Sequence, residues 1–173
     1  MSFSDKELLH GAALMRLFSN GDSITAHELP DCADAYELRS GNHRAVVLMK
    51  YSTSKKSPWH FTFSTQQVAA IKLIGDSAIT SVSLGLICHV DGVCCLQMEE
   101  LPSLGLTLDD LAGCAISVRR PRNGSYWVTG PGRHRMERSI PQNRWSSALV
   151  RSLGMSSPTR QAKGETDGNQ GRG

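Results

Sequence analysis

The chain lacks the features of several well-known protein classes. No uninterrupted apolar run approaches the roughly 18 residues that a membrane span needs. The N-terminus has no basic segment followed by an apolar one, which is the pattern of a secretory signal. The motifs G-x-x-x-x-G-K-[ST], H-E-x-x-H and G-x-S-x-G are also missing. These absences predict an intracellular, cytoplasmic protein with no membrane partner.

Cysteine is present, but its spacing is not that of a metal site. There are 5 cysteines, an odd number, and none forms the C-x-x-C pairs that are typical of zinc ligands. In a reducing compartment a disulfide is not expected. Most of these residues are therefore predicted to be small buried apolar side chains.

The most basic part of the chain contains no lysine and almost no acidic residues. Residues 115–151 hold 8 arginines against 1 acid, Glu137, a net charge of +7. Residues 1–114 hold 8 Lys and Arg against 13 Asp and Glu, a net charge of −5. Arginine offers a planar fork that matches phosphate oxygens and stacks on rings.

This arginine-rich stretch has two interpretations. Because Tyr126, Trp127 and Trp145 lie among the arginines, the pattern is typical of a nucleic-acid-binding surface. Alternatively, the arginine stems cover apolar surface on an exposed edge hairpin. The predicted nucleic-acid-binding residues are Arg119, Arg120, Arg122, Trp127, Arg133, Arg135 and Arg138.

Periodicity predicts an α+β protein with a mixed or antiparallel central sheet and flanking helices. A capping box at Ser4 and Glu7 opens an amphipathic helix, and a second one at Ser64 and Gln67 opens another. The apolar run 45–49 predicts a central strand buried on both faces. The apolar positions of the first helix are Leu8, Leu9, Ala12, Met15 and Phe18, and the inward face of a third strand is Trp59, Phe61 and Phe63.

The arginine-rich residues are predicted to form an appended hairpin. Residues 116–122 and 125–129 flank Asn123-Gly124, a strong turn signal, and Pro121 favours a sheet edge. In that register Arg120 faces Trp127, which predicts a cation–π pair. The predicted domain covers residues 1–155, in which 114–153 form the hairpin and a closing helix, and 156–173 form a disordered tail.

Polar residues near the N-terminus fall into a familiar order. Glu7 lies on the first helix, Asp31 and Asp34 precede a strand that carries Glu37, and a buried strand ends in Leu48-Met49-Lys50. Over residues 4–88 this order resembles the core of restriction-endonuclease-like proteins, the PD-(D/E)xK superfamily.

The resemblance implies a restriction-endonuclease-like core and magnesium-dependent hydrolysis of phosphodiesters. Asp34 (or Asp31) would be the first metal ligand and Lys50 the catalytic lysine, and Glu37 is the candidate for the second metal ligand. Glu7 matches the acid that some members carry on the helix. Mg²⁺ would be the cofactor only if the protein cleaves its substrate.

One position departs from the family pattern. Leu48 stands two residues before Lys50, where the family has Asp or Glu. Glu37 replaces this acid only if its side chain points to the same face as Lys50. Either the active site is rearranged around Asp34, Glu37 and Lys50, or the fold has kept binding without cleavage.

The sequence therefore leaves several functions open. The first is a nucleic-acid-binding protein with a nuclease-like core, with metal-dependent cleavage if the site is intact. The second is a non-catalytic interaction module whose arginine-rich hairpin docks nucleic acid or an acidic protein. The acidic and basic portions could also pair between copies of the chain, or neutralise each other within one molecule.

Overall fold

The computed structural model describes residues 2–18, 23–75 and 80–155, so the tail predicted for 156–173 lies outside the described residues. Within these residues the structure has three α-helices and eight strands. The helices are α1 (Asp5–Phe18), α2 (Thr65–Gly75) and α3 (Arg144–Ser152). The strands are β1 (Thr25–Glu28), β2 (Ala35–Ser40), β3 (His43–Tyr51), β4 (Trp59–Thr62), β5 (Thr80–Ile87), β6 (Val93–Gln97), β7 (Ala115–Arg119) and β8 (Trp127–Thr129).

The larger sheet has five strands in the order β1-β2-β3-β5-β6. Its neighbours are antiparallel except for β3 and β5, which are parallel. A parallel pair needs a crossover connection, and here it contains β4 and α2. Strand β3 is central, and its residues 45–49 are buried on both faces. The apolar run of the sequence predicted this strand, and the prediction is confirmed.

The smaller sheet has three antiparallel strands in the order β4-β7-β8. Trp59 lies opposite Val118, and Phe61 lies opposite Ile116. These four side chains are buried in one core with the larger sheet. The predicted inward face of β4, with period two, is therefore confirmed.

The larger sheet lies between two layers. On one face, α1 and α3 pack on Ala45, Val47 and Met49. On the other face, α2 and the smaller sheet pack on Val46 and Leu48. This is a single α+β domain with a mixed sheet, which confirms the coarse fold class.

Trp145 of α3 joins the helical layer to the sheet. Its Nε1 donates a hydrogen bond to the Ala13 carbonyl of α1 at 2.9 Å. A Cβ at Gly85 of β5 would lie 2.8 Å from the Trp145 ring. Only glycine lets the indole approach the sheet so closely.

Helix α1 forms as predicted but buries a different face. Leu8 and Met15 are 55% and 65% exposed, whereas His10, Ala13 and Leu17 are buried. The apolar residues of this helix cover more than one stripe. Packing against α3 and β3 buries the stripe that contains Ala13 and Leu17.

The register of the arginine-rich hairpin differs by one residue from the predicted one. Arg119, not Arg120, lies opposite Trp127. The backbone N–H of Arg120 donates to Ser57 Oγ at 3.2 Å, and its side chain turns to Asp91. A shift of one residue exchanges the two faces of a strand. The predicted Arg120–Trp127 pair is therefore wrong: Arg120 lies over Tyr126, and Arg135 lies over Trp127.

The cysteines fit their predicted structural role. All five are free thiols, and four of them are buried. Burial raises the pKa of Cys95 to about 12, so this thiol stays protonated at neutral pH. In the three described segments, no helix is long and apolar enough to cross a membrane.

Candidate functional site

A cleft of about 530 Å³ opens where the ends of β3 and β4 meet the first turn of α1. Its lining includes the charged residues Lys6, Asp34 and Lys50. Ser52, His60 and Thr62 add polar groups. Both Asp34 and Lys50 were predicted as site residues, and the structure brings them together.

The backbone places Asp34 beside Lys50. Asp34 precedes β2 with a φ of 69°, a left-handed conformation that aspartate tolerates better than most residues. Its carbonyl accepts a hydrogen bond from the Met49 N–H at 2.8 Å, which ties this turn to the end of β3. The carboxylate consequently lies 3.8 Å from Lys50 Nζ.

Gln67 is the residue between these two groups. Its Nε2 donates to Asp34 Oδ2 at 3.1 Å, and its Oε1 accepts from Lys50 Nζ at 3.4 Å. Its Oε1 also accepts from the Ser64 N–H at 3.2 Å, because Gln67 belongs to the capping box of α2. The sequence predicted this cap but not the site role. A capping side chain folds back over the N-terminus of its helix. The capping box was therefore the sequence signal that could have placed Gln67 near the site.

Lys6 of α1 completes the cluster. Its Nζ lies 2.9 Å from Glu28 Oε1 and 2.9 Å from Asp34 Oδ1. The hydrogen bonds that Lys6 donates, first to Asp34 and then to Glu28, raise the pKa of Lys6, and the bond from Lys6 lowers the pKa of Glu28. No sequence pattern pointed to this role, because a lysine in the first turn of a helix is ordinarily solvated.

Glu37 does not join the cluster. It lies on β2 opposite Val46, four residues along β3 from Lys50, which is about 13 Å at the rise of a strand. Its carboxylate accepts a hydrogen bond from Arg39 and forms an ion pair with Arg44 instead. The bond from Arg39 is the main reason that the pKa of Glu37 is lowered. The predicted pair of metal ligands, Asp34 and Glu37, is therefore not assembled.

The other two acids implied by the resemblance also lie elsewhere. Glu7 accepts a hydrogen bond from the Ser4 N–H at 2.7 Å and so caps α1. Asp31 is exposed and lines a separate pocket with Leu29 and Pro30. Leu48, where the family has an acid, is buried.

The donors around Asp34 do not suit a magnesium ion. Its two carboxylate oxygens contact the N–H groups of Lys6 and Gln67. In the part of the chain that the structure describes, no group of three His, Cys, Asp or Glu residues could hold a metal ion. Magnesium needs near-octahedral oxygen ligands at 2.0–2.1 Å. The residues that line the cleft do not supply them.

A second surface adjoins the cleft, and we call it the outer face. It is the side of the smaller sheet that points away from the core. His60, Ser117 and Thr129 form one row across its three strands, since His60 pairs with Ser117 and Ser117 with Thr129. His60 also lines the cleft, so the two surfaces are continuous. The outer face consists of His60, Thr62, Ala115, Ser117, Arg119, Trp127 and Thr129.

The arginines fall into two groups. Arg120 is paired with Asp91 at 2.6 Å, and Arg144 with Glu100 at 2.8 Å. Among the residues described, the other six arginines of this stretch form no ion pair, and all six are exposed. These six are Arg119, Arg122, Arg133, Arg135, Arg138 and Arg151.

Trp127 is the aromatic centre of the outer face. It is half-buried, and the Arg135 guanidinium lies 4.0 Å from the centroid of its ring. Arg119 lies directly opposite it on β7. Trp59 and Trp145 are buried, which makes Trp127 the accessible member of the three tryptophans of the sequence.

Comparison with models of known protein families and with curated proteins found no match for this chain. The functional argument consequently rests on the geometry of the cleft and of the outer face.

Proposed function

We propose that this protein binds nucleic acid on the outer face and in the adjoining cleft, and that it does not cleave it. The observation that carries the proposal is the group of Arg119, Trp127 and Arg135 on one sheet face. Two exposed arginines flank an accessible indole there. Cationic side chains around an aromatic ring are what a base and its neighbouring phosphates require.

The geometry favours an unpaired strand over a duplex. Bases of a single strand stack on exposed aromatic rings, and sheet faces are common platforms for this contact. Reading a B-form duplex takes a helix or a two-stranded ribbon that enters the major groove. Trp127 lies instead on a sheet face, where an extended strand of DNA or RNA can cross.

The cleft lies at the end of that path. The row of His60, Ser117 and Thr129 spans three strands, about 10 Å at the usual strand spacing. A nucleic-acid strand that follows this row would pass His60 and reach Lys50 in the cleft. Lys50 has a weak contact with Gln67 and a long one with Asp34, so its ammonium can also contact a phosphate.

A nuclease-like core without hydrolysis is part of this proposal. The parallel pair β3–β5 and the contact of Asp34 with Lys50 support a core like that of the restriction-endonuclease-like proteins. The buried Leu48 and the amide of Gln67 stand where a second acid would be needed. The core would then be a binding scaffold with no need for Mg²⁺.

Fluorescence anisotropy with labelled 20-nucleotide strands tests the proposal. We expect single-stranded DNA or RNA to bind at low salt and the corresponding duplex to bind more weakly. Binding should change the intrinsic fluorescence, because Trp127 is the accessible tryptophan. The double variant Arg119→Ala/Arg135→Ala should lose at least about tenfold in affinity.

Arg151→Ala is the matched control, since Arg151 is an exposed arginine on α3, away from the outer face. It removes a like charge and should leave affinity nearly unchanged. Equal losses in the control and in the double variant would contradict the proposal. No binding to any strand at low salt would also contradict it, and would favour an acidic protein as the partner.

The absence of cleavage needs its own measurement. Strands incubated with the protein and Mg²⁺ or Mn²⁺ should remain intact on a denaturing gel. Cleavage that is lost in Asp34→Asn and in Lys50→Met would overturn this half of the proposal and restore the nuclease interpretation.

A further inference from the structure

The lining of the cleft is rich in hydrogen-bond donors. Its hydroxyl groups come from Ser52, Thr53 and Thr62. The Ser54 N–H donates to Ser52 Oγ at 3.3 Å, so the Ser52 hydroxyl keeps its own hydrogen to donate. Among the described residues, the hydroxyls of Thr53 and Thr62 have no hydrogen-bond partner. An anion in the cleft would therefore meet donors that the protein itself leaves unused.

Lys50 adds a cation to these hydroxyls. Its Nζ lies 3.8 Å from Asp34 Oδ2 and 3.4 Å from Gln67 Oε1. Both distances exceed the value of about 2.7–2.9 Å that is usual for a strong charge-assisted hydrogen bond. Asp34 is closer to Lys6, at 2.9 Å, and its second oxygen accepts from Gln67 at 3.1 Å. The charge of Asp34 is thus offset first by Lys6, and Lys50 can take a second partner.

The ion pair of Lys6 with Asp34 forms one wall of the cleft. It joins the first turn of α1 to the turn before β2. Lys6 also contacts Glu28 of β1 at 2.9 Å, which ties the wall to the edge of the larger sheet. His60 belongs both to the cleft lining and to the outer face. A nucleic-acid strand from the outer face would enter past His60 and meet this wall, which favours the end of the strand over its middle.

We propose that the cleft binds the terminal phosphate of a single strand whose bases lie on the outer face. This inference rests on the proposed function and names the group that the cleft takes, a phosphomonoester at the 5′ or the 3′ end. Such a group carries a charge of about −1.5 to −2 at neutral pH and has three strong acceptor oxygens.

The size and charge of the cleft suit this group. The charged residues of its lining are two lysines and one aspartate, so the lining has a net positive charge. The three hydroxyls and the Lys50 ammonium supply enough donors for three phosphate oxygens. The volume of about 530 Å³ lies within the range of roughly 300–1,000 Å³ that is typical of small-ligand sites.

Fluorescence anisotropy with internally labelled strands tests the proposal on the purified full chain. Three strands of one sequence carry a 5′-phosphate, a 3′-phosphate or hydroxyls at both ends. We expect one of the two phosphates to raise affinity at least about tenfold over the hydroxyl strand, because hydrogen bonds to a charged group are strong. Lys50→Met should abolish this gain. Arg119→Ala/Arg135→Ala should weaken binding of all three strands but keep the gain, because these arginines lie outside the cleft.

Lys55→Met is the matched control for Lys50→Met. Lys55 is exposed and is not part of the cleft lining, so its loss removes the same charge and should keep the gain. Lys50→Gln provides a second variant if Lys50→Met does not fold. Thermal melts monitored by circular dichroism check that each variant is folded.

Three results would overturn the terminal-phosphate site: equal affinity for the three strands, equal gains from a phosphate at either end, or a gain that survives Lys50→Met. A gain of the same size from one added internal nucleotide would also overturn it, since general charge would then explain the effect. In each of these cases, binding of the hydroxyl strand leaves the proposed function intact. If no strand binds at low salt, the proposed function fails and the terminal-phosphate site fails with it.

Discussion

The cleft and the outer face both carry cations, but they differ in how those cations are used. Lys6 is held by two carboxylates at 2.9 Å, and Lys50 contacts Asp34 and Gln67. Arg119 and Arg135 are exposed, and in the described segments neither has an acidic partner. Charge that is already paired within the protein is not available to a ligand. The outer face therefore presents more unpaired positive charge than the cleft.

Two adjacent residues show the same contrast. Arg119 and Arg120 are neighbours in sequence, but they point to opposite sides of the smaller sheet. Arg120 donates to Asp91 at 2.6 Å and to the Gly124 carbonyl at 2.8 Å, with Tyr126 beneath its guanidinium. Arg119 is exposed on the outer face. Arg120 therefore contributes to stability, whereas Arg119 keeps its charge exposed on the outer face.

The largest expected effect separates these two arginines. Arg120→Ala should lower the free energy of unfolding by about 2–3 kcal/mol, because Asp91 loses its cationic partner and keeps only the Tyr126 hydroxyl, and the Gly124 carbonyl loses its donor. For a chain of this size, the melting temperature should fall by about 5–10 °C. Arg119→Ala should stay within about 0.5 kcal/mol of the wild type. Urea unfolding followed by circular dichroism measures both, and similar losses in the two variants would remove the distinction.

The next effect concerns the aromatic ring of the outer face. Trp127→Ala should weaken binding of a single strand by about 2 kcal/mol, or roughly 30-fold, because base stacking is lost. Trp127→Phe keeps a ring and should recover most of this affinity. A full loss in Trp127→Phe would show that the indole acts in some way other than stacking.

The salt dependence of single-strand binding should show a smaller effect, which also depends on the outer face. Each arginine that contacts a phosphate of a single strand adds about 0.7 to the slope of log K against log salt. Arg119→Ala/Arg135→Ala should therefore reduce this slope by about 1.4, a difference of roughly sevenfold between 50 and 200 mM salt. Lys72→Met is the control in the slope measurement. It removes a lysine that is paired with Asp109 on the surface, and the slope should not change. An unchanged slope in the double variant would mean that these arginines contact no phosphate.

Much of the fold was predictable because it depends on local patterns. The apolar run 45–49 predicted the central strand, and alternation at Trp59 and Phe61 predicted the inward face of β4. In both strands the pattern repeats over several residues, so a small error in an element boundary does not change the result. The proximity of Asp34 and Lys50 was expected from the resemblance to restriction-endonuclease-like proteins and not from a local pattern.

The contacts of single side chains were less predictable. A shift of one residue in the hairpin register exchanged Arg119 and Arg120 between the two faces. Glu37 lies on the same face of the larger sheet as Lys50, but the β2–β3 register puts it opposite Val46, where it pairs with Arg39 and Arg44. Lys6 and Gln67 come from helices that meet the cleft only in the folded chain. Such long-range pairings leave no local signal.

The smallest expected effect compares a histidine behind the cleft with one on the outer face. His10 of α1 is buried, with its Nδ1 at 3.0 Å from the Tyr36 hydroxyl and its Nε2 without a hydrogen-bond partner. His60 is exposed. Burial lowers the pKa of His10, although the charge of Asp34 acts in the opposite direction. The groups that act on His10 are Lys6, Glu28, Asp34 and Lys50, and the rings of Tyr36 and Tyr51 lie against it.

The lowered pKa of His10 predicts the sign of a pH effect on stability. In the unfolded chain a histidine has a pKa of about 6.5, so below this pH the unfolded state takes up a proton more readily than the folded state. The contribution of neutral His10 is thus complete above about pH 6.5 and is lost as the pH falls toward its pKa in the folded state. We expect the urea midpoint to be lower at pH 5 than at pH 7.5. This decrease should be smaller in His10→Gln, whereas His60→Gln should keep it in full. An identical decrease in both variants would assign the pH dependence to other groups and remove the contrast between the two histidines.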